Sequence, residues 1–462
     1  MRGALYRRNF VIVFLLSCVS LVVVGNFIWT SNVAGIGKGS REKLTTRSVS
    51  LTNTRADKPL ATVHFSKQVP ASAKPMLMWT KVKGAVAYEI ELLSESPENP
   101  NGTTLSKHGF FTTKQVYVPG FNADVSNYLM QDTFYWRVRG LDFSGKAIGV
   151  FSDAELVYVD RRKDSLQKPT PTSIFNQSVG STLLYPVYAW IPVAGADKYE
   201  VEILNDLPEN PNGIAPSRHR IDAAVVAGFD YYDETPRISE KPFYWRVRGL
   251  DQAGNPVGVY SDAGQYSVNP AMPVTVATFG DSITHGGGSV SYSPADWEYS
   301  YQHYLDFPTV NLGKSGDTSA TMVERFDQDV LPFQPRYLLI LAGTNSLRGG
   351  VEADHVIEDL KVLQEKCLAN NIRPIFLTLP PINPENIEKV FNESTVPDWN
   401  NKMKIVNEFI RSQIYIDITT EMDDAILPGY LAVDGLHLDI KGKKKIAAAI
   451  NTNWQRITQL SR

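Results

Sequence analysis

Cysteine is nearly absent: the 462 residues hold two, Cys18 and Cys367. One lies in an apolar N-terminal run and the other in a segment of helical periodicity, so no disulfide framework, CxxC pair or Cys/His metal spacing organises this chain. An excess of one charge is lacking too. Forty-six Lys and Arg against 49 Asp and Glu leave a formal net charge of −3, which gives nucleic acid no basic surface to bind. There is no phosphate-cradling glycine loop, and nothing in the motifs below calls for a metal or other cofactor. The hydrophobic fraction of 43% and the charged fraction of 21% exclude a disordered or fibrous chain. At this length about two to four domains are expected.

What is present begins at the N-terminus. Arg2, Arg7 and Arg8 precede an apolar run from Phe10 to Trp29, the length of a membrane-spanning helix. Its core is long for a cleavable signal peptide, so an uncleaved anchor over residues 1–30 is expected, basic end inside and the rest of the chain outside the cytoplasm. Leu15-Leu16-Ser17-Cys18 resembles a bacterial lipoprotein processing site, which would tether the chain through a lipid on Cys18 instead. Residues 31–72, rich in Ser, Thr, Gly, Lys and Arg, read as a flexible stalk.

An internal repeat follows. Trp79, Gly84-Ala85, Tyr88-Glu89-Ile90-Glu91, Pro97-Glu98-Asn99-Pro100-Asn101-Gly102 and Phe134-Tyr135-Trp136-Arg137-Val138-Arg139-Gly140 return as Trp190, Gly195-Ala196, Tyr199-Glu200-Val201-Glu202, Pro208-Glu209-Asn210-Pro211-Asn212-Gly213 and Phe243-Tyr244-Trp245-Arg246-Val247-Arg248-Gly249. Each copy closes on Ser-Asp-Ala, at Ser152 and Ser261. Alternation within these segments is that of strands, with apolar residues on one face and Glu or Arg on the other. Two all-β sandwiches are expected, over 73–160 and 161–269. The spacing of Trp, Gly-Ala, Tyr and Tyr-Trp-Arg-Val-Arg resembles fibronectin type III modules.

After Pro270 the pattern changes. Val274–Phe279, Thr309–Leu312, Tyr337–Ala342 and Pro374–Leu379 are short apolar runs, and Glu352–Asn371 carries Val356, Leu360, Leu363 and Cys367 at helical spacing. Strands alternating with helices imply a parallel sheet over 270–462, with any reactive site beyond the carboxyl ends of its strands. There stand Gly280-Asp281-Ser282-Ile283-Thr284, Asn311-Leu312-Gly313, Gly343-Thr344-Asn345 and, near the end, Asp434-Gly435-Leu436-His437. A serine hydroxyl needs a base, which histidine supplies near neutral pH, and an aspartate three residues before that histidine can fix its tautomer.

These four blocks, in this order, resemble the SGNH branch of the GDSL hydrolases. The resemblance implies an α/β/α, flavodoxin-like domain and a serine esterase with Ser282 as nucleophile, His437 as base and Asp434 as its orienting acid. The backbone N–H groups of Ser282 and Gly313 and the amide of Asn345 would form the oxyanion hole. Where the family's third block commonly continues with Asp, Ser346 stands here, read as variation on the substrate side. Asp281, His285, Ser346 and Trp297 are candidates for the pocket. His285 reads equally as a surface residue at a helix start, and Trp297, Tyr299, Tyr301 and Tyr304 as packing on the sheet. Lys441, Lys443, Lys444 and Lys445 read as a solvated helix face.

The first reading of function is a membrane-tethered esterase outside the cytoplasm, taking O-acetyl groups from a carbohydrate polymer. A lysophospholipase or a general short-chain esterase or thioesterase is the enzymatic alternative. A non-catalytic glycan-binding or adhesion protein is the alternative of another class.

Overall fold

The computed structural model describes residues 58–460 apart from 129–130, 143–144, 164–165, 174, 177–179, 181, 274, 287–296, 421 and 423–425. The apolar run Phe10–Trp29, Cys18, the stalk up to residue 57 and Gly287-Gly288 lie outside the described residues. Among the described residues no helix is long and apolar enough to cross a membrane.

From residue 58 the chain already belongs to the first β region: Ala61 pairs with Trp79 and Ala71 with Val159. Residues 58–72, expected in the stalk, are therefore part of that region. Each repeat copy forms one larger and one smaller antiparallel sheet. In the first, Ala87–Leu93 lies between Gly109–Val116 and Thr133–Leu141, and Met76–Met78 pairs with Gly120–Asn122. In the second, Lys198–Leu204 lies between Arg220–Val226 and Phe243–Leu250, and Val187–Ile191 pairs with Asp230–Tyr232. The repeated aromatic residues fill both interiors alike. Trp79 packs edge-on against Tyr88 at 5.3 Å, and Trp190 meets Tyr199 at the same 5.3 Å.

The alternation of these strands does not divide core from solvent. Glu89, Glu91, Arg137 and Arg139 are all buried. Arg137 Nε donates to Glu91 at 2.8 Å and Arg139 Nε to Glu89 at 2.7 Å, and Phe151 lies under both guanidinium groups. Arg246 with Glu202 and Arg248 with Glu200 repeat the arrangement over Tyr260. The Pro-Glu-Asn-Pro-Asn-Gly loops fold over these pairs, and carbonyls of Asn99, Thr103 and Thr104, or of Asn210, Ile214 and Ala215, accept further guanidinium protons. A buried charge must be paired and fully hydrogen-bonded, so pair and loop recur together in the sequence.

The C-terminal part is an α/β domain on a six-stranded sheet in the order Tyr415–Ile416, Arg373–Leu377, Tyr337–Leu341, Val276–Gly280, Val310–Asn311, Thr182–Leu183. Every pairing within it is parallel. Its last strand comes from the second β region, on the far side of the boundary expected at residue 270. One continuous apolar core accordingly joins the second copy to the α/β domain, while the first copy has a core of its own.

Candidate active site

Val276–Gly280 ends at a turn that only glycine permits at its hinge. A Cβ on Gly280 would overlap the side chain of Thr284 and come 2.6 Å from Leu341 O. The short helix Ser282–His285 begins immediately, capped by Asp281, whose Oδ1 accepts from Ile283 N at 2.9 Å. Ser282 O accepts from Gly286 N at 3.0 Å, and the other three carbonyls are taken by side chains from elsewhere in the domain. Lys443 Nζ donates to Ile283 O at 2.8 Å, Gln302 Nε2 to Thr284 O at 2.7 Å, and Asn311 Nδ2 to His285 O at 2.9 Å. A one-turn helix cannot satisfy its own ends, and these donors fix where Ser282 points.

Asp434-Gly435-Leu436-His437 forms the facing turn. Asp434 Oδ1 accepts from the backbone N–H groups of Leu436 and His437, both at 2.8 Å. Gly435 has φ +80, and a Cβ there would overlap Asn383 O. Asn383 N donates in return to Gly435 O at 2.7 Å, which fastens the turn to the helix Pro384–Phe391. Phe391 at the end of that helix meets the His437 ring edge-on at 5.9 Å.

The two turns bring the predicted triad together. His437 Nδ1 lies 2.8 Å from Asp434 Oδ2, and His437 Nε2 lies 2.8 Å from Ser282 Oγ. With Nδ1–H donating to the carboxylate, Nε2 accepts the serine proton, the arrangement a general base requires. Asp281 is wholly buried behind the serine, and that burial pushes its carboxyl up to about 6. Burial likewise brings the nearby Lys443 ammonium down to about 8.

The expected oxyanion donors are placed as follows. Ser282 N–H has no partner among the described residues. Gly313 N–H donates to Asn311 Oδ1 at 2.9 Å, so an oxyanion there competes with that side chain. Asn345 is aimed from both ends: Nδ2 donates to Asp317 O at 2.9 Å and Oδ1 accepts from Arg348 Nε at 3.1 Å, which leaves its second amide proton for a ligand. Glycine at 313 answers to packing on the nucleophile turn, because a Cβ would lie 2.7 Å from His285 Cα.

The pocket candidates fare differently. Ser346 is buried, accepts from Ser319 N at 2.9 Å and is part of a serine pair on Asp359, so it braces the helix Thr344–Arg348 rather than facing substrate. Trp297 packs edge-on against Phe175 at 6.5 Å, Tyr301 is buried in the same core and Tyr299 is buried too, which is the packing reading. His285 is fully buried, neither on the surface nor in a pocket. Its Nε2–H donates to Tyr185 O at 2.8 Å, Ser315 Oγ lies 3.1 Å from Nδ1, and burial lowers its pKa to about 4. Lys443, read from sequence as solvated, is fully buried on the nucleophile turn. Sequence reasoning also missed Arg325, a buried guanidinium held by Asp317 and Asp329 that donates to Leu312 O at 2.8 Å and Gly280 O at 3.1 Å. Its only signal was an arginine among apolar residues of the helix Ser319–Asp329.

Residues 278–445 match the GDSL-like Lipase/Acylhydrolase family. This part of the chain is a GDSL/SGNH acylhydrolase domain, and through it the chain is a carboxylic ester hydrolase. Among solved structures, a GDSL-like lipase from Bacteroides thetaiotaomicron is 21% identical, over 40% of this chain and 88% of its own, with a TM-score of 0.32. A lipase/acylhydrolase from Enterococcus faecalis is 22% identical over 40% and 96%, with a TM-score of 0.32. A variant of an acetyl-xylooligosaccharide esterase from Geobacillus is 20% identical over 38% and 92%, with a TM-score of 0.28. No curated protein matches the chain.

Proposed function

We propose that this is a serine esterase tethered outside the cytoplasm, which removes O-acetyl groups from a carbohydrate polymer. The observation that carries the reading is the unbroken hydrogen-bonded line from Asp434 through His437 to Ser282. Ser282 Oγ attacks the ester carbonyl as its proton passes to His437 Nε2. The alcohol then leaves with that proton, and an acyl-Ser282 remains. Water, deprotonated by the same nitrogen, attacks the acyl group and releases the acid, and the proton returns to Ser282. Asn345 and the Ser282 N–H receive the developing oxyanion, and each such donor supports a factor of about 10²–10³ in rate.

The two β copies, in this reading fibronectin type III-like sandwiches, carry the head toward a polymer, and Phe10–Trp29 is the anchor. The test is acetate release from O-acetylated polysaccharide, set beside hydrolysis of p-nitrophenyl acetate, butyrate and palmitate. Acetate release, with acetyl turned over fastest, supports the reading. Preference for palmitate, with no acetate released, overturns it in favour of a lipid substrate.

A further inference from the structure

The two β copies are controls on each other. Met76 pairs with Asn122 in the first, and Val187 pairs with Tyr232 in the second, so Asn122 and Tyr232 hold equivalent positions. Lys74 and Tyr185 are equivalent too, each followed by a proline and then the paired strand. In the first copy Asn122 Nδ2 donates to Lys74 O at 2.9 Å, and Asn122 Oδ1 accepts from Ala194 N of the second copy at 2.8 Å. The same edge therefore faces the next unit of the chain in both copies.

In the second copy a tyrosine replaces that asparagine, and the carbonyl it would have covered is used by the hydrolase domain. Tyr185 O accepts from His285 Nε2 at 2.8 Å. Tyr232 Oη accepts from Ser315 N at 3.2 Å, and its ring lies 4.8 Å from that of His285. The Tyr185 hydroxyl makes a further link, donating to Asp329 Oδ2 at 2.5 Å. Asp329 holds Arg325, whose guanidinium caps the carbonyls of Gly280 and Leu312, the residues that lead into Asp281-Ser282 and Gly313. The loop that Tyr232 grips continues to Asp317, whose carbonyl aims Asn345.

We propose that Tyr185 and Tyr232 are positioning residues for ester hydrolysis, and that the second β copy is a fixed brace of the nucleophile turn and the Asn311–Asp317 loop. The proposal rests on Ser282 being the nucleophile. Neither tyrosine touches the reacting atoms; each acts through His285, Ser315 or Arg325. Displacement of a reacting group by about 1 Å costs on the order of 100-fold in rate, so small shifts of these loops register in kcat.

The first copy supplies the least disruptive variant. Tyr232→Asn in the full chain lets the new amide cover Tyr185 O, as Asn122 covers Lys74 O, while Ser315 N–H and His285 lose their partners. For p-nitrophenyl acetate, per serine reactive toward a fluorophosphonate, kcat should fall about 10–100-fold with KM within about twofold. Tyr232→Phe, which keeps the ring on His285 but lacks the hydroxyl that accepts from Ser315 N, should recover only part of that loss. Glu209→Gln, on the loop over the Arg246 pair, should leave kcat unchanged. A Tyr232→Asn protein with a lowered Tm but wild-type kcat per reactive serine makes the tyrosine a structural brace only, and overturns the proposal. So does an equal loss in Glu209→Gln, which would show general loosening. Absence of esterase activity in the wild type would instead strike the assignment of Ser282.

Discussion

At the scale of single residues, the site depends on buried polar side chains whose partners lie far off in sequence. His285 shows what this does to pH dependence. Its folded pKa of about 4 lies below the ordinary value of 6.5, because burial penalises the charged ring. The unfolded chain thus binds that proton more readily between those two values. The contribution is present in full above pH 6.5 and is lost as pH falls toward 4. Asp281, raised to about 6, works in the opposite sense: its contribution is present below its ordinary value of 3.8 and is lost as pH rises toward 6. In His285→Asn only the second trend remains, so the urea midpoint should decline between pH 4 and 6 more steeply than in the wild type. An unchanged slope would contradict the neutral, buried ring. Ser282, His437 and Asp434 stood out in the sequence because the reaction dictates their residue types and the order of the four blocks resembles that of the GDSL hydrolases. Lys443 and Ser346 were misread, since a lysine in a run of lysines and a serine in place of an aspartate carry no mark of burial. Their partners, Ile283 O and Ser319, are set only by the folded chain.

At the scale of elements, alternation located the β strands but not what covers them. The glutamate and arginine faces of the repeated strands meet each other under a loop, so both faces of each strand are inside. The Arg137 and Glu91 side chains are 0% and 1% exposed. Arg137→Ala leaves the Glu91 carboxylate buried without its partner, at a cost of about 3–5 kcal/mol to the first β region. Urea unfolding of that region should show the loss, with kcat for ester hydrolysis unchanged. A cost below about 1 kcal/mol, the range of a surface pair, would mean that solvent reaches the carboxylate. In the hydrolase domain the apolar runs gave four strands of its sheet, and glycines marked where three of them end. The edge strand Thr182–Leu183 gave no such signal, being two residues long and over 90 positions before the next strand of its sheet.

At the scale of the whole molecule, the shared core divides the described chain into two cooperative units. The second β copy and the hydrolase domain share apolar packing from Tyr188 and Trp190 through to Leu338 and Ile450, whereas the first copy packs on itself around Trp79 and Trp136. Calorimetry should resolve two transitions, and Trp136→Ala, at a cost of about 3–5 kcal/mol, should lower only one of them. Three independent transitions would contradict the shared core. The repeat itself was plain in the sequence, and its symmetry suggested two equal modules. The inequality lies at a few positions, Asn122 against Tyr232 and Lys74 against Tyr185, where only the neighbouring domain reveals the reason.

The central claim is that His437, oriented by Asp434, activates Ser282 for attack on an ester. The most direct measurement is the intact and peptide mass of the protein after a fluorophosphonate, with the labelling rate compared between wild type and Asp434→Asn. One adduct on the peptide that contains Ser282, formed on the order of 10⁴-fold more slowly in the variant, is the predicted result. No adduct on folded protein, an adduct on another residue, or equal rates in the two proteins would contradict the account.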